Sequence, residues 1–112
     1  WRLYFLSDPQ ERLKRRVRYT LCKTEFRDVK IWRYKGQIHR ENDMPAVIGA
    51  DGTQKWWYNG VLHRENDLPA VVYAKGGQRW YHQGQRHREN NLPAVIRADG
   101  RQEWWYDGKF IR

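Results

Sequence analysis

The sequence predicts an all-β fold of elongated, single-sheet antiparallel β-hairpin repeats, and three observations carry that prediction. Trp32, Trp56, Trp80 and Trp104 lie 24 residues apart, and Gly36, Gly60, Gly84 and Gly108 keep the same step. Turn signals recur at fixed places in that period: Asp51-Gly52, Lys75-Gly76-Gly77 and Asp99-Gly100 each separate an Ala-Val-rich run from a Trp-rich run, the composition of a tight hairpin. Between the turns, side-chain character alternates with period two, as it does along strands. A fixed period of this length marks a supersecondary unit that cannot bury its apolar face alone, so neighbours must stack to build a continuous core.

The 112 residues carry a formal charge of +9, unevenly placed: residues 1–30 hold nine Lys/Arg against four Asp/Glu, and residues 31–112 hold thirteen against nine. We read 1–30 as a basic N-terminal capping segment and 31–112 as the repeat domain. In the first, Leu3 to Leu6 suits an apolar strand or turn. Ser7 or Asp8 is placed as a helix N-cap, Pro9 suits the first helical position, and Gln10 or Glu11 completes a capping box. Leu13, Val17 and Leu21 recur at helical spacing, while Val17, Tyr19 and Leu21 alternate as in a strand. The expectation is a short helix near Pro9 to Arg15, then extended chain from about Val17, covering one end of the stack.

Aligned at tryptophan, the repeats read WRYKGQIHRENDMPAVIGADGTQK from Trp32, WWYNGVLHRENDLPAVVYAKGGQR from Trp56, WYHQGQRHRENNLPAVIRADGRQE from Trp80 and a partial WWYDGKFIR from Trp104. Two strands per unit are expected, roughly Ala70 to Ala74 and Gln78 to His82 in the second. Asn59-Gly60 opens a longer loop that Pro69 closes. Proline has no N–H for a central ladder, so Pro45, Pro69 and Pro93 mark loop ends or first strand positions.

Comparing units separates a constant face from a variable one. Gln54, Trp56 and Tyr58 are echoed by Gln78, Trp80 and His82 and by Gln102, Trp104 and Tyr106. The opposite face carries Arg33, Trp57, Tyr81 and Trp105, with Lys55, Arg79 and Glu103 beside them, and changes in charge and size. On the companion strand Ala46, Ile48 and Ala50 recur as Ala70, Val72 and Ala74 and as Ala94, Ile96 and Ala98, whereas Gly49, Tyr73 and Arg97 share one variable slot. The Trp/Tyr and Ala/Ile columns are expected on one buried face.

The order aromatic strand, x-Asn-Gly-x-x-His, short apolar strand and Ala-Asp-Gly turn, over about residues 31–112, resembles the MORN repeat. The HRENDLPAV loop is similar to the divergent HR-x-x-x-PAV version found in repeat proteins of marseillevirus-type giant DNA viruses. The resemblance implies two-stranded hairpins stacked into an elongated sheet and a viral or virion-associated protein. This chain departs from the usual MORN pattern after His39, His63 and His87, where Arg stands in place of Gly.

Composition bounds the function classes. Mean hydropathy is −1.08, and 39% of residues are apolar, thin for a globular core; the seven Trp and seven Tyr compensate, since each ring buries a large area while its polar tip stays wet. Cys22 alone cannot form an intrachain disulfide and fits a reducing, intracellular compartment. No apolar stretch has spanning length. The chain begins at Trp1 and not Met, which fits a processed product or a fragment.

His39, His63 and His87 invite a metal reading. Units of two strands stand roughly 10 Å apart, twice the ~4.8 Å strand spacing, whereas zinc needs its nitrogens ~2.0 to 2.1 Å away, so the expectation is that each imidazole bonds loop backbone while Arg64 and Glu65 pin the loop. The His-Arg-Glu-Asn string also invites acid–base chemistry. Its three near-identical copies lack the asymmetric convergence of an active site, and no nucleophile motif or phosphate-cradling loop accompanies them. No catalytic residue, metal or cofactor is expected.

The chain is therefore expected to be a non-enzymatic module for protein–protein interaction or scaffolding, with Arg33, Trp57, Tyr81 and Trp105 as its contact surface, because aromatic and Arg side chains dominate interface hot spots. The alternative uses the basic patch Arg12, Lys14, Arg15, Arg16 and Arg18 on nucleic acid, with Trp57 and Trp105 stacking on bases, or on an anionic membrane surface. Phe110 and Ile111 leave the C-terminal repeat end apolar, and an uncovered strand edge invites pairing with another chain. The expectation there is a two-fold homodimer or docking on a larger partner.

Overall fold

Asn59-Gly60 and its counterparts set the geometry of every unit. In the computed structural model, which describes residues 20–21 and 28–112, Lys35-Gly36, Asn59-Gly60, Gln83-Gly84 and Asp107-Gly108 all have both residues at positive φ, between 49° and 88°. Two consecutive positive-φ residues are what a type I′ turn requires, and its twist matches the strands it joins. Each pair connects short strands: β2 (Lys30–Tyr34) to β3 (Gln37–Ile38), β6 (Trp57–Tyr58) to β7 (Val61–Leu62), β10 (Tyr81–His82) to β11 (Gln85–Arg86), and β14 (Trp105–Tyr106) to β15 (Lys109–Phe110). Asn59-Gly60 is thus the tip of a tight hairpin, and the longer loop begins after it at His63.

The Asp-Gly turns, with Lys75-Gly76-Gly77 in the middle unit, join a second set of strands. β4 (Val47–Ile48) leads to β5 (Gln54–Lys55), β8 (Val71–Val72) to β9 (Gln78–Arg79), and β12 (Val95–Ile96) to β13 (Gln102–Glu103). The Gly49 carbonyl accepts from the Gly52 amide at 3.0 Å, and Asp51 Oδ1 accepts from the Thr53 amide at 2.9 Å. Gly52 and Gly100 sit at φ 96° and 93°, as turn glycines should. These strands pair antiparallel in the order β1 (Thr20–Leu21), β2, β4, β5, β8, β9, β12, β13, with β3 attached to β2, while the three later hairpins form separate two-stranded ribbons.

Each full unit therefore contributes four short strands where two were expected, and after β2, which runs unbroken through Trp32, the break falls at the repeated tryptophan. The Trp56 amide donates to the Ala70 carbonyl at 2.7 Å, while the Trp56 carbonyl accepts from the His63 amide at 3.1 Å. The chain changes partner at that residue, leaving the main sheet for the hairpin. Trp80 does the same, whereas Trp104 keeps one partner: its amide donates to the Arg112 carbonyl at 2.9 Å and its carbonyl accepts from the Ile111 amide at 2.8 Å.

This break corrects the predicted burial. Trp32, Trp56 and Trp80 are buried, as are Ala46, Ala70 and Ala94, but Tyr58 and Tyr106 are exposed, and so are Ala50, Ala74 and Ala98. Val71 and Val95, expected on the other face, are 3% and 1% exposed. Alternation does not run through a strand of two residues whose ladder ends at the tryptophan, so the Ala/Ile column is not one buried stripe. The expected helix near Pro9 to Arg15 lies outside the described residues, whereas extended chain at Thr20–Leu21 pairs with β2 through Thr20↔Arg33 and Leu21↔Trp32.

Trp80→Ala should cost about 3 to 5 kcal/mol through the cavity it leaves, and Trp57→Ala, at a half-buried position, clearly less; thermal melts of the two variants check the order. Gly100→Val tests the turn separately. A Cβ at Gly100 meets nothing within 4 Å, so any loss comes from the positive φ, and a drop of about 1 to 3 kcal/mol is expected in denaturant unfolding.

Candidate interaction surface

The His-Arg-Glu-Asn loops join neighbouring units. Arg64 lies flat on Trp56, its guanidinium carbon 3.7 Å from the ring centroid, and donates Nη1 to the Pro69 carbonyl at 3.0 Å. Its remaining edge grips Asp43 of the preceding unit through Nε to Oδ1 at 2.8 Å and Nη2 to Oδ2 at 3.2 Å. The Asp43 carbonyl also accepts from Trp56 Nε1 at 3.1 Å. Arg88 repeats this on Trp80, Pro93 and Asp67, with ring distance 3.9 Å and carboxylate bonds of 2.9 and 3.3 Å. In the last unit Arg112 covers Trp104 and donates to Asn91 Oδ1 at 3.1 Å.

Each loop turns through two residues at positive φ: Asn42-Asp43, Asn66-Asp67 and Asn90-Asn91, between 55° and 64°. Asn and Asp tolerate that region because their short polar side chains bond locally. The same residues thus shape the turn and present the Asp or Asn oxygen to the next unit. Sequence reasoning missed the column Asp43, Asp67, Asn91; its 24-residue step, matched to Arg64, Arg88 and Arg112, is the signal that marks it.

The imidazoles bond backbone, but of the following hairpin and not of their own loop. Nδ1 of His39, His63 and His87 accepts from the amides of Asn59, Gln83 and Asp107 at 2.8, 2.8 and 2.9 Å. Their Nε2 atoms face Glu41, Glu65 and Glu89. An Nδ1 that accepts leaves the proton on Nε2, directed at the carboxylate. Glu65 therefore orients His63, while Arg64 ties its own loop through the Pro69 carbonyl and also reaches Asp43 of the preceding unit. Tyr34, His39, Tyr58, His63, His82, His87 and Tyr106 form one run of rings with centroids 4.4 to 6.4 Å apart.

With the constant residues committed to these couplings, the variable ones gather elsewhere. Register places Arg33 opposite Ile38, Trp57 opposite Leu62, Tyr81 opposite Arg86 and Trp105 opposite Phe110, and directly opposed residues share a face. Side-chain contacts tie this patch to the main sheet. Arg86 lies 4.8 Å over Trp105 and donates Nε to Tyr81 Oη at 3.2 Å; Trp105 Nε1 donates to Glu103 Oε1 at 3.0 Å; Arg97 binds Glu103 Oε2 through Nη2 at 2.6 Å and Nε at 3.2 Å. Arg79 sits 5.4 Å over Tyr73. Of the predicted contact residues, Trp57, Tyr81 and Trp105 are half-buried, as is Arg33. Phe110 packs edge-on against Trp105 with centroids 5.4 Å apart yet remains 58% exposed beside Ile111 at 59%.

Charge is sorted by the same division. Among the described repeat residues, Glu103 is the one carboxylate within a strand, and the others stand in loops or turns. The Arg97 guanidinium bonds hold the Glu103 carboxyl below its ordinary value, and Glu103 in turn raises Arg97. At the turns, the amides of Thr53 and Arg101 lower Asp51 and Asp99. The basic patch Arg12, Lys14, Arg15, Arg16 and Arg18 lies outside the described residues. Comparison with protein-family models, with curated proteins and with solved structures gives no match.

Because the folded Glu103 is the stronger acid, the stability it contributes is present above its ordinary value of 4.5 and is lost as pH falls through the lowered one. The melting-temperature gap between the parent chain and Glu103→Gln should be open at neutral pH and close below about pH 4.5. A gap independent of pH across a melting series would show that Glu103 acts by packing alone.

Proposed function

We propose that this chain is a non-enzymatic repeat module that binds a protein partner through the face carrying Trp57, Tyr81 and Trp105. One observation carries the reading: residues that repeat from unit to unit are spent on turns and inter-unit bonds, and residues that change converge on one surface. A column such as Arg33, Trp57, Tyr81, Trp105 or Gly49, Tyr73, Arg97 is free to vary because the inter-unit clamps do not use it. What it displays is aromatic rings fixed by guanidinium contacts, the composition of interface hot spots. Large rings held in place lose little conformational entropy when a partner covers them.

Repetition supports the same reading against a catalytic one. The His-Glu pairs occur three times in near-identical surroundings and each imidazole is occupied by a backbone amide of the next hairpin. A general base needs its acceptor nitrogen for substrate.

Capture from the native source, with the full chain as bait, tests the proposal. Replacing Trp57, Tyr81 and Trp105 together by Ser should reduce recovery of the partner by about thirtyfold or more, the scale of losing a hot spot. Tyr58→Ser with Tyr106→Ser, on the exposed ring run, should leave recovery within about twofold. Equal loss in the two variants would place the contact elsewhere.

A further inference from the structure

We propose that the variable face takes an acidic, extended polypeptide segment, anchored by a carboxylate held between Arg79 and Arg97. This rests on the reading of that face as a protein-binding surface and assigns the partner its chemistry.

The cations supply the first argument. Arg64 and Arg88 are consumed by Asp43 and Asp67. Lys55, Arg79 and Arg86, in β5, β9 and β11, make no ion pair within 4 Å among the described residues. They come from successive units, and the carboxylate nearest Arg86 on this face, Glu103, is bonded to Arg97. Arg79 and Arg86 are also laid on rings, at 5.4 Å from Tyr73 and 4.8 Å from Trp105. A guanidinium held near a ring keeps N–H edges for carboxylate oxygens.

The second argument is a cleft. Tyr73, Gly76, Gly77, Arg79, Val95 and Arg97 line a depression of about 110 Å³. It is open because residue 77 is Gly, where the neighbouring units have Thr53 and Arg101. A Cβ on Gly77 would stand 3.4 Å from both the Ala98 amide nitrogen and the Ile96 carbonyl oxygen and 3.6 Å from the Tyr73 ring, so a side chain there would crowd the cleft. Two guanidinium side chains, Arg79 and Arg97, are among its lining residues. One of them, Arg97, already binds a carboxylate of this chain, Glu103, through two nitrogens. Glu103 thus shows how a carboxylate sits on this face and also competes with an incoming one.

A single-stranded nucleic acid fits less well. Base stacking needs a bare ring face, and a guanidinium already stands over one face of Tyr73 and of Trp105, at 5.4 and 4.8 Å. Spacing suits a peptide: units repeat every ~10 Å across two strands, and a polyproline-II chain advances ~9 Å in three residues. Acidic residues at every third position would keep step with the units.

Fluorescence polarisation of the full chain with a labelled Pro/Ser peptide carrying Glu at every third position tests this, with the Gln counterpart and a charge-matched oligothymidylate as comparisons. The Glu peptide should bind, weaken with salt, and outcompete the oligothymidylate, while the Gln peptide should not bind. Arg79→Gln should weaken the Glu peptide about tenfold, and Glu103→Gln, by releasing Arg97, should tighten it several-fold, on the scale of one charge-assisted contact. Lys109→Gln, in β15 and outside the cleft lining, should change nothing, and circular dichroism confirms that each variant is folded. Equal weakening by Arg79→Gln and Lys109→Gln, no tightening by Glu103→Gln, or preference for oligothymidylate would overturn the proposal. If the Glu peptide fails while Trp57, Tyr81 and Trp105 still govern partner capture, the acidic segment is wrong and the protein-binding reading stands; if capture is also indifferent to those rings, both fall.

Discussion

The contact on which the rest depends is the guanidinium laid over tryptophan and forked onto the carboxylate of the preceding unit. A sheet of two-residue strands has almost no width, so strand pairing alone cannot fix one unit against the next. Arg64 supplies the missing constraint: its flat side covers Trp56 at 3.7 Å, and its edge reaches both oxygens of Asp43 and the Pro69 carbonyl. The aliphatic and planar parts of Arg shield the ring from water while the charge stays solvated at its rim. Core packing and polar anchoring are thus performed by the same side chain.

The ion pair by itself is a minor contributor, since the Asp43 and Asp67 side chains are about half exposed and exposed pairs are worth little. Its value is geometric. It holds the guanidinium over the indole and ties the loop at positive φ to the next unit, so that burial of the ring, worth far more, is secured. The imidazole bonds act alike on the hairpin side: His39 Nδ1 holds the Asn59 amide, and the Ile38 carbonyl accepts from the Gly60 amide at 2.9 Å. Each unit is gripped at its loop edge and again at its hairpin tip.

The period, the all-β class and the turn glycines were legible because each follows from local chemistry: positive φ at Gly52 and Gly100 needs no tertiary information. The variable column Trp57, Tyr81, Trp105 was legible from comparison between units. Strand count and burial were not, because Trp56 reads as the middle of an alternating run, whereas its amide and carbonyl serve different sheets. That switch depends on Ala70 and His63, distant in sequence. The Asp43–Arg64 fork escaped for a related reason: within the loop string, Glu65 is the nearer acid, and only stacking brings the preceding unit's Asp closer.

The reach of these couplings has a consequence for how such a chain changes length. The side-chain bonds that join units span 13, 20 or 21 residues, as between Trp56 and Asp43, His39 and Asn59, and Arg64 and Asp43. None extends past an adjoining unit, so the register that matters is carried over one joint at a time. Duplicating or excising one whole period within the array recreates the joints already present, with no core to be repacked around the change. Genetic drift in unit number is therefore structurally cheap, while a gain or loss of any other length misaligns a loop with its clamp.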